Sequence, residues 1–262
     1  MLYLNLVELS FKNRKPMKKI RSTPTTTLWK YPILIVLLAY LMSACASNST
    51  PDLPQKKILF IGNSFTDFNN GLDNHLAGLA PNSQTARVSP GGYTLQDHWE
   101  DPYTMGSVRS GSWDVVVIQD QSQNPVTNYE NFMDYAKKMV GEIRTAGGEP
   151  ILFMTWERPD SVQYGVTTDA LYKAYSTAGQ ELKVRVAPVG WAFFASLRER
   201  PDIQLNIEDG HPTPEGTYLA ACIFYGVIYG QSPVDNPYGG DISEENRVFL
   251  QQMAARVLQL GK

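Results

Sequence analysis

The chain has 262 residues, 43% of them hydrophobic and 19% charged. That is room for one α/β domain with a sizeable core, and too apolar for a disordered protein. A net charge of -3 gives no basic face, so no nucleic-acid partner is expected. Beyond residue 50 no long run of like charge appears, which argues against a polyanionic substrate.

Residues 1–44 read as an address. Met17 opens a basic stretch (Lys18, Lys19, Arg21, Lys30) and is a more natural start than Met1. The apolar run Ile33–Ala39 follows, too short to span a bilayer comfortably. Leu41-Met42-Ser43-Ala44-Cys45 then resembles the lipobox of bacterial lipoproteins, with Met42 where that motif usually has leucine. The resemblance implies cleavage before Cys45, a lipid on Cys45, and an extracytoplasmic, membrane-anchored place in the cell envelope. Ala46 and Ser47, rather than aspartate, imply the outer membrane. An uncleaved signal anchor is the alternative. Residues 45–56 read as the lipidated cysteine and a flexible tether, and 57–262 as the folded domain.

From Lys57 the chain alternates strand and helix. Ile58–Ile61, Val115–Ile118 and Ile151–Met154 are continuous apolar runs, as in strands buried on both faces. Thr85–Ser89 and Val184–Pro188 are weaker strand candidates. Helical segments are expected at Gly71–Leu79, Tyr129–Ala146, Thr168–Leu182, Pro214–Tyr229 and Glu244–Leu260. The alternation predicts a three-layer α/β/α sandwich around a parallel sheet of about five strands. Ligands of such sheets sit beyond the carboxyl ends of the strands. Cys222, in an apolar helical context, reads as a buried thiol.

The chemistry is sought at those strand ends. Gly62-Asn63-Ser64-Phe65 follows the first strand. A serine on such a turn exposes its hydroxyl and places its own N–H beside a developing oxyanion, although serine also simply caps helices. A serine nucleophile needs a base and an orienting acid. Glu208-Asp209-Gly210-His211-Pro212 supplies both in a chain with only three histidines.

In these segments the sequence resembles the SGNH (GDSL-like) serine hydrolases. The resemblance runs from Lys57 to about Tyr229 and implies a flavodoxin-like fold and esterase chemistry without a cofactor. It makes Ser64 the nucleophile, with Asn63 in place of the usual aspartate, and His211 the base. Gly91-Gly92-Tyr93-Thr94 stands where the family places an oxyanion-hole glycine, Gly92 fitting better. The family's Gly-x-Asn-Asp motif is absent. Gln119-Asp120-Gln121-Ser122-Gln123-Asn124 stands in its place, so Gln123 or Gln121, with Asn124 third, would supply the amide donor. The acid is normally three residues before the histidine, which is Glu208. Asp209, two before it, is preferred slightly.

Other residues have plainer readings. His75 is expected at or near the surface, His98 near the pocket, and Trp156 either facing substrate or in the core. With three histidines and two cysteines, no metal site is expected. The expected activity is removal of small acyl groups, acetyl first, from glycans. The rival is a non-catalytic surface lipoprotein that uses the fold for carbohydrate binding or scaffolding.

Overall fold

The structure is a computed structural model that describes residues 53–260. The signal segment, Cys45 and most of the tether lie outside the described residues. Five parallel strands form one sheet: β1 (Lys57–Ile61), β2 (Gln84–Val88), β3 (Val115–Ile118), β4 (Glu149–Phe153) and β5 (Arg185–Ala187). Their order is β2-β1-β3-β4-β5, the doubly wound arrangement expected from the alternation. β1 pairs with β2 on one side and β3 on the other, so the chain reverses direction across the sheet beside β1.

The period-two geometry of a strand sorts the apolar runs onto two faces. Ile58, Phe60, Val115, Val117, Ile151 and Phe153 lie in one core. Leu59, Ile61, Val116, Ile118 and Leu152 lie in the other. The first core is covered by α2 (Leu72–Leu79), α8 (Val189–Glu199), α9 (Pro214–Tyr229) and α10 (Glu244–Leu258). The second is covered by α3 (Leu95–Glu100), α4 (Pro102–Ser110), α6 (Tyr129–Thr145) and α7 (Thr168–Leu182). Two one-turn helices, α1 (Ser64–Asp67) and α5 (Asn124–Thr127), sit directly after β1 and after the β3 loop.

The central strands are buried along almost their whole length, whereas edge strands β2 and β5 are half-exposed and carry Gln84, Arg87 and Arg185. α9 is buried nearly all round and Cys222 lies fully inside it, a free thiol that burial pushes up to about 12. Helices α3, α4 and α8 were not expected from the sequence. Asp101-Pro102 divides the first two into short pieces, and Pro188 and Gly190 at the start of α8 read as breakers.

Candidate active site

All the chemistry-bearing segments converge at the carboxyl end of the sheet, where the chain reverses. β1 ends at Ile61, and Gly62-Asn63 turns the chain into α1. Asn63 is the N-cap in extended conformation, and its Oδ1 accepts the Phe65 N–H at 3.2 Å. Ser64 is therefore the first helical residue rather than the cap, which leaves its hydroxyl free of a capping bond. Its Oγ lies 2.8 Å from His211 Nε2, across 147 positions of sequence.

His211 is carried by a loop fixed at several points. Ile207 N–H donates to the His211 carbonyl at 2.9 Å, and Asn206 bridges Pro212 in antiparallel fashion. Trp156, at the end of β4, donates its indole N–H to the Gly210 carbonyl at 3.0 Å. Asn69 Nδ2 reaches from the α1–α2 turn to the Pro212 carbonyl and Thr217 Oγ1, both at 2.9 Å. Thr213 then caps α9 by accepting from Gly216 N–H. Asn69 and Asn70 both have positive φ, a backbone state asparagine tolerates better than most residues. The only sequence hint of this role is the Asn-Asn-Gly turn signature.

The imidazole is bounded by aromatic rings. Phe68 stacks on it, with centroids 4.2 Å apart and planes 14° from parallel, and Phe65 meets its edge at 5.7 Å. Phe65 is itself stacked on Trp156, and Trp156 on Phe193. Trp156 is thus a core residue, the second of its two sequence readings.

Of the two candidate acids, the one beside the histidine is Asp209. Its Oδ1 lies 2.9 Å from His211 Nδ1 and also accepts the His211 backbone N–H at 3.0 Å. The backbone bond sets the carboxylate's direction, so the ring N–H does not aim along the shorter contact and Nδ1 has no aligned acceptor. Those two contacts, the backbone one first, hold the Asp209 carboxyl below the usual carboxylate range. Its side chain is 61% exposed, so its electrostatic effect on the ring is screened by water. Glu208 is exposed and forms no bond to the ring.

The glycines fall beside the serine turn. Asn63 Nδ2 donates to the Tyr93 carbonyl at 3.0 Å, next to Gly92. Gly92 has φ of +77° and is exposed, a conformation that favours glycine. Neither the Ser64 nor the Gly92 N–H has a hydrogen-bond acceptor among the described residues. Gln123, half-buried, makes no side-chain bond there either, whereas Gln121 Oε1 accepts from the Gln123 and Asn124 N–H groups at 2.8 and 3.2 Å. Asn124 donates to Asp120 and Asn131.

Two polar residues beneath the site, Gln119 and Asp120, escaped the sequence reading, and a third, His98, has a role it did not give. Gln119, fully buried, accepts from Asn63 N–H and Thr66 Oγ1 and donates to Asn63 Oδ1 and the Asp120 carbonyl. Asp120, 1% exposed, accepts from Leu95 N–H at 3.0 Å, Gln121 N–H at 2.7 Å and Asn124 Nδ2 at 2.8 Å. Burial raises its carboxyl to about 6 despite those bonds. His98 lies wholly inside, its Nε2–H donating to the Gly62 carbonyl at 2.8 Å. Burial lowers its tendency to protonate. It lies near the pocket, as expected, but supports the serine turn from below rather than lining the wall. His75 is also buried, between the Asn69 carbonyl and Tyr238.

No family model matches the sequence, and no curated protein matches it. Solved structures do. A protein from Slackia heliotrinireducens assigned to the SGNH hydrolases is 25% identical, with a TM-score of 0.59, over 67% of this chain and all of that one. A DUF4886 family protein from Bacteroides uniformis is 17% identical, with a TM-score of 0.67, over 79% of this chain and 96% of that one. The acetyl xylan esterase AlAXEase is 16% identical, with a TM-score of 0.55, over 66% and 99%. With a serine after β1, a histidine before α9 and a β2-β1-β3-β4-β5 parallel sheet, the described chain has the fold of the SGNH, GDSL-like hydrolases.

Proposed function

We propose that the protein is a serine esterase that removes small acyl groups from glycans. The observation that carries this reading is the 2.8 Å contact between Ser64 Oγ and His211 Nε2. Nε2 accepts the serine proton as Oγ attacks the acyl carbonyl, and returns it to the departing alcohol. Water, deprotonated by the same nitrogen, then cleaves the acyl-enzyme. The Ser64 and Gly92 N–H groups, unpaired among the described residues, are the donors offered to the tetrahedral oxyanion. Gln123 is the third, in preference to Gln121, whose carbonyl end is occupied as a turn cap.

The substrate class rests on accessibility. Ser64 and His211 are half-exposed and Gly91 and Gly92 exposed, so an ester on a bulky alcohol can reach the serine. The likeness to an acetyl xylan esterase points the same way, as a likeness of fold. The lipobox-like segment ending at Cys45 supports attachment to a membrane on the outer side of the cell.

The test is p-nitrophenyl acetate hydrolysis by the protein beside Ser64→Ala, His211→Ala and Asp209→Ala. The first two are expected to lose about three orders of magnitude or more in kcat. Asp209→Ala is expected to lose only about ten- to a hundredfold, since that carboxylate is exposed and misaligned. Wild type no faster than Ser64→Ala would refute the esterase reading and leave carbohydrate binding as the function to examine.

A further inference from the structure

We propose that Gln119 and Asp120, the two residues after β3, are the positioning residues of this site: one holds the nucleophile turn, the other holds the amide-bearing loop. The inference rests on the esterase reading. Successive residues leaving a strand point to opposite sides, and these two use that alternation to serve different segments.

Gln119 is aimed at the serine turn. Its Oε1 accepts the Asn63 N–H at 3.2 Å and its Nε2 donates to Asn63 Oδ1 at 2.8 Å. The Gly62–Asn63 peptide is thereby gripped at its N–H by Gln119 and at its carbonyl by His98. A Cβ at Gly62 would run into Thr66 Oγ1 and Gln119 Oε1, so the turn is closed upon this contact. The next amide along is that of Ser64, which has no partner among the described residues. Its direction is set by the peptide that Gln119 holds.

Asp120 is aimed the other way. One oxygen, Oδ1, takes both the Leu95 N–H, at the start of α3 and three residues after Gly92, and the Gln121 N–H. The other takes Asn124 Nδ2, at the far end of the Gln121–Gln123 loop. A single buried carboxylate therefore ties the glycine segment to the glutamine loop. A surface pairing would leave such loops free to drift, and oxyanion donors are effective only when fixed in advance. Neither residue reaches the substrate.

Rates are read per active site, by titrating Ser64 to completion with a fluorophosphonate. Gln119→Ala and Asp120→Ala are expected to lower kcat at least about tenfold with KM within about twofold. Those contacts orient donors that bind charge only in the transition state. Asp120→Asn keeps an Oδ1 acceptor for both N–H groups and should restore kcat to within about threefold. Thr66→Val, isosteric and removing one bond to Gln119, should cost a few-fold and keeps the test valid should the alanine variants not fold. The proposal is overturned if kcat per titrated site is unchanged, if only KM rises, or if Asp120→Asn is as slow as Asp120→Ala. Wild type that neither turns over nor is labelled at Ser64 overturns the esterase reading itself, and this proposal with it.

Discussion

Asp120 shows how one buried residue adds to the pH response of the fold. Its carboxyl rises from 3.8 to about 6 because burial penalises the charged form. A folded-state value above the unfolded one means that its contribution is fully present below about pH 4 and lost as pH rises through about 6. At pH 7 the ionised group costs about 3 kcal/mol by this reckoning. Asp120→Asn keeps the shape and drops the charge, with the Asn124 amide turning to present its oxygen. The expected outcome is a gain of about 1–3 kcal/mol at pH 7 that disappears below about pH 4. Urea melts of both proteins across that range would show it, and equal stabilities at pH 7 would contradict it.

At the scale of elements, α9 couples the core to the His211 loop. Gly216 lies on its first turn, where a Cβ would collide with the Leu205 carbonyl oxygen and crowd Phe193. Gly216→Ala is expected to destabilise the protein by about 1–3 kcal/mol and to lower activity beyond the loss of folded protein. Leu205 accepts the Thr213 N–H, two residues after His211. A thermal melt paired with kinetics at 25 °C reads both effects.

Legibility follows the same elements. β1, β3 and β4 were readable because strands buried on both faces need unbroken apolar runs. β2 and β5 are edges with charged residues, and their expected limits fell within one residue of the observed Gln84–Val88 and Arg185–Ala187. Helix α8 was hidden because Pro188 and Gly190 reflect close packing rather than a break. A Cβ at Gly190 would strike the Thr155 carbonyl. Ser64 and His211, which the structure brings together, could be picked out because nucleophile and base chemistry restricts residue type and loop position. The supporting roles of Gln119, Asp120 and His98 could not be read, since a buried amide, carboxylate or imidazole gains its role from partners 25 to 56 positions away.

Over the whole molecule, Cys222 reports on global opening. It is fully buried in the middle of α9 and its thiol is pushed up to about 12, so neither access nor thiolate exists in the native state. With Cys45 replaced by serine, the protein should react with a thiol reagent only at the rate of unfolding, and fast reaction in native buffer would contradict this packing.

The row of rings Phe65, Trp156 and Phe193, face to face at 4.4 and 4.2 Å, has a mechanical consequence. It runs from the serine helix through the tryptophan that holds Gly210 to α8, so Ser64 and His211 are bolted to one beam. Thermal breathing is then expected to move them together and to keep Oγ beside Nε2. If the esterase proposal holds, heat should end turnover only when the beam itself comes apart, with the loss of turnover and the melt of the protein falling at the same temperature.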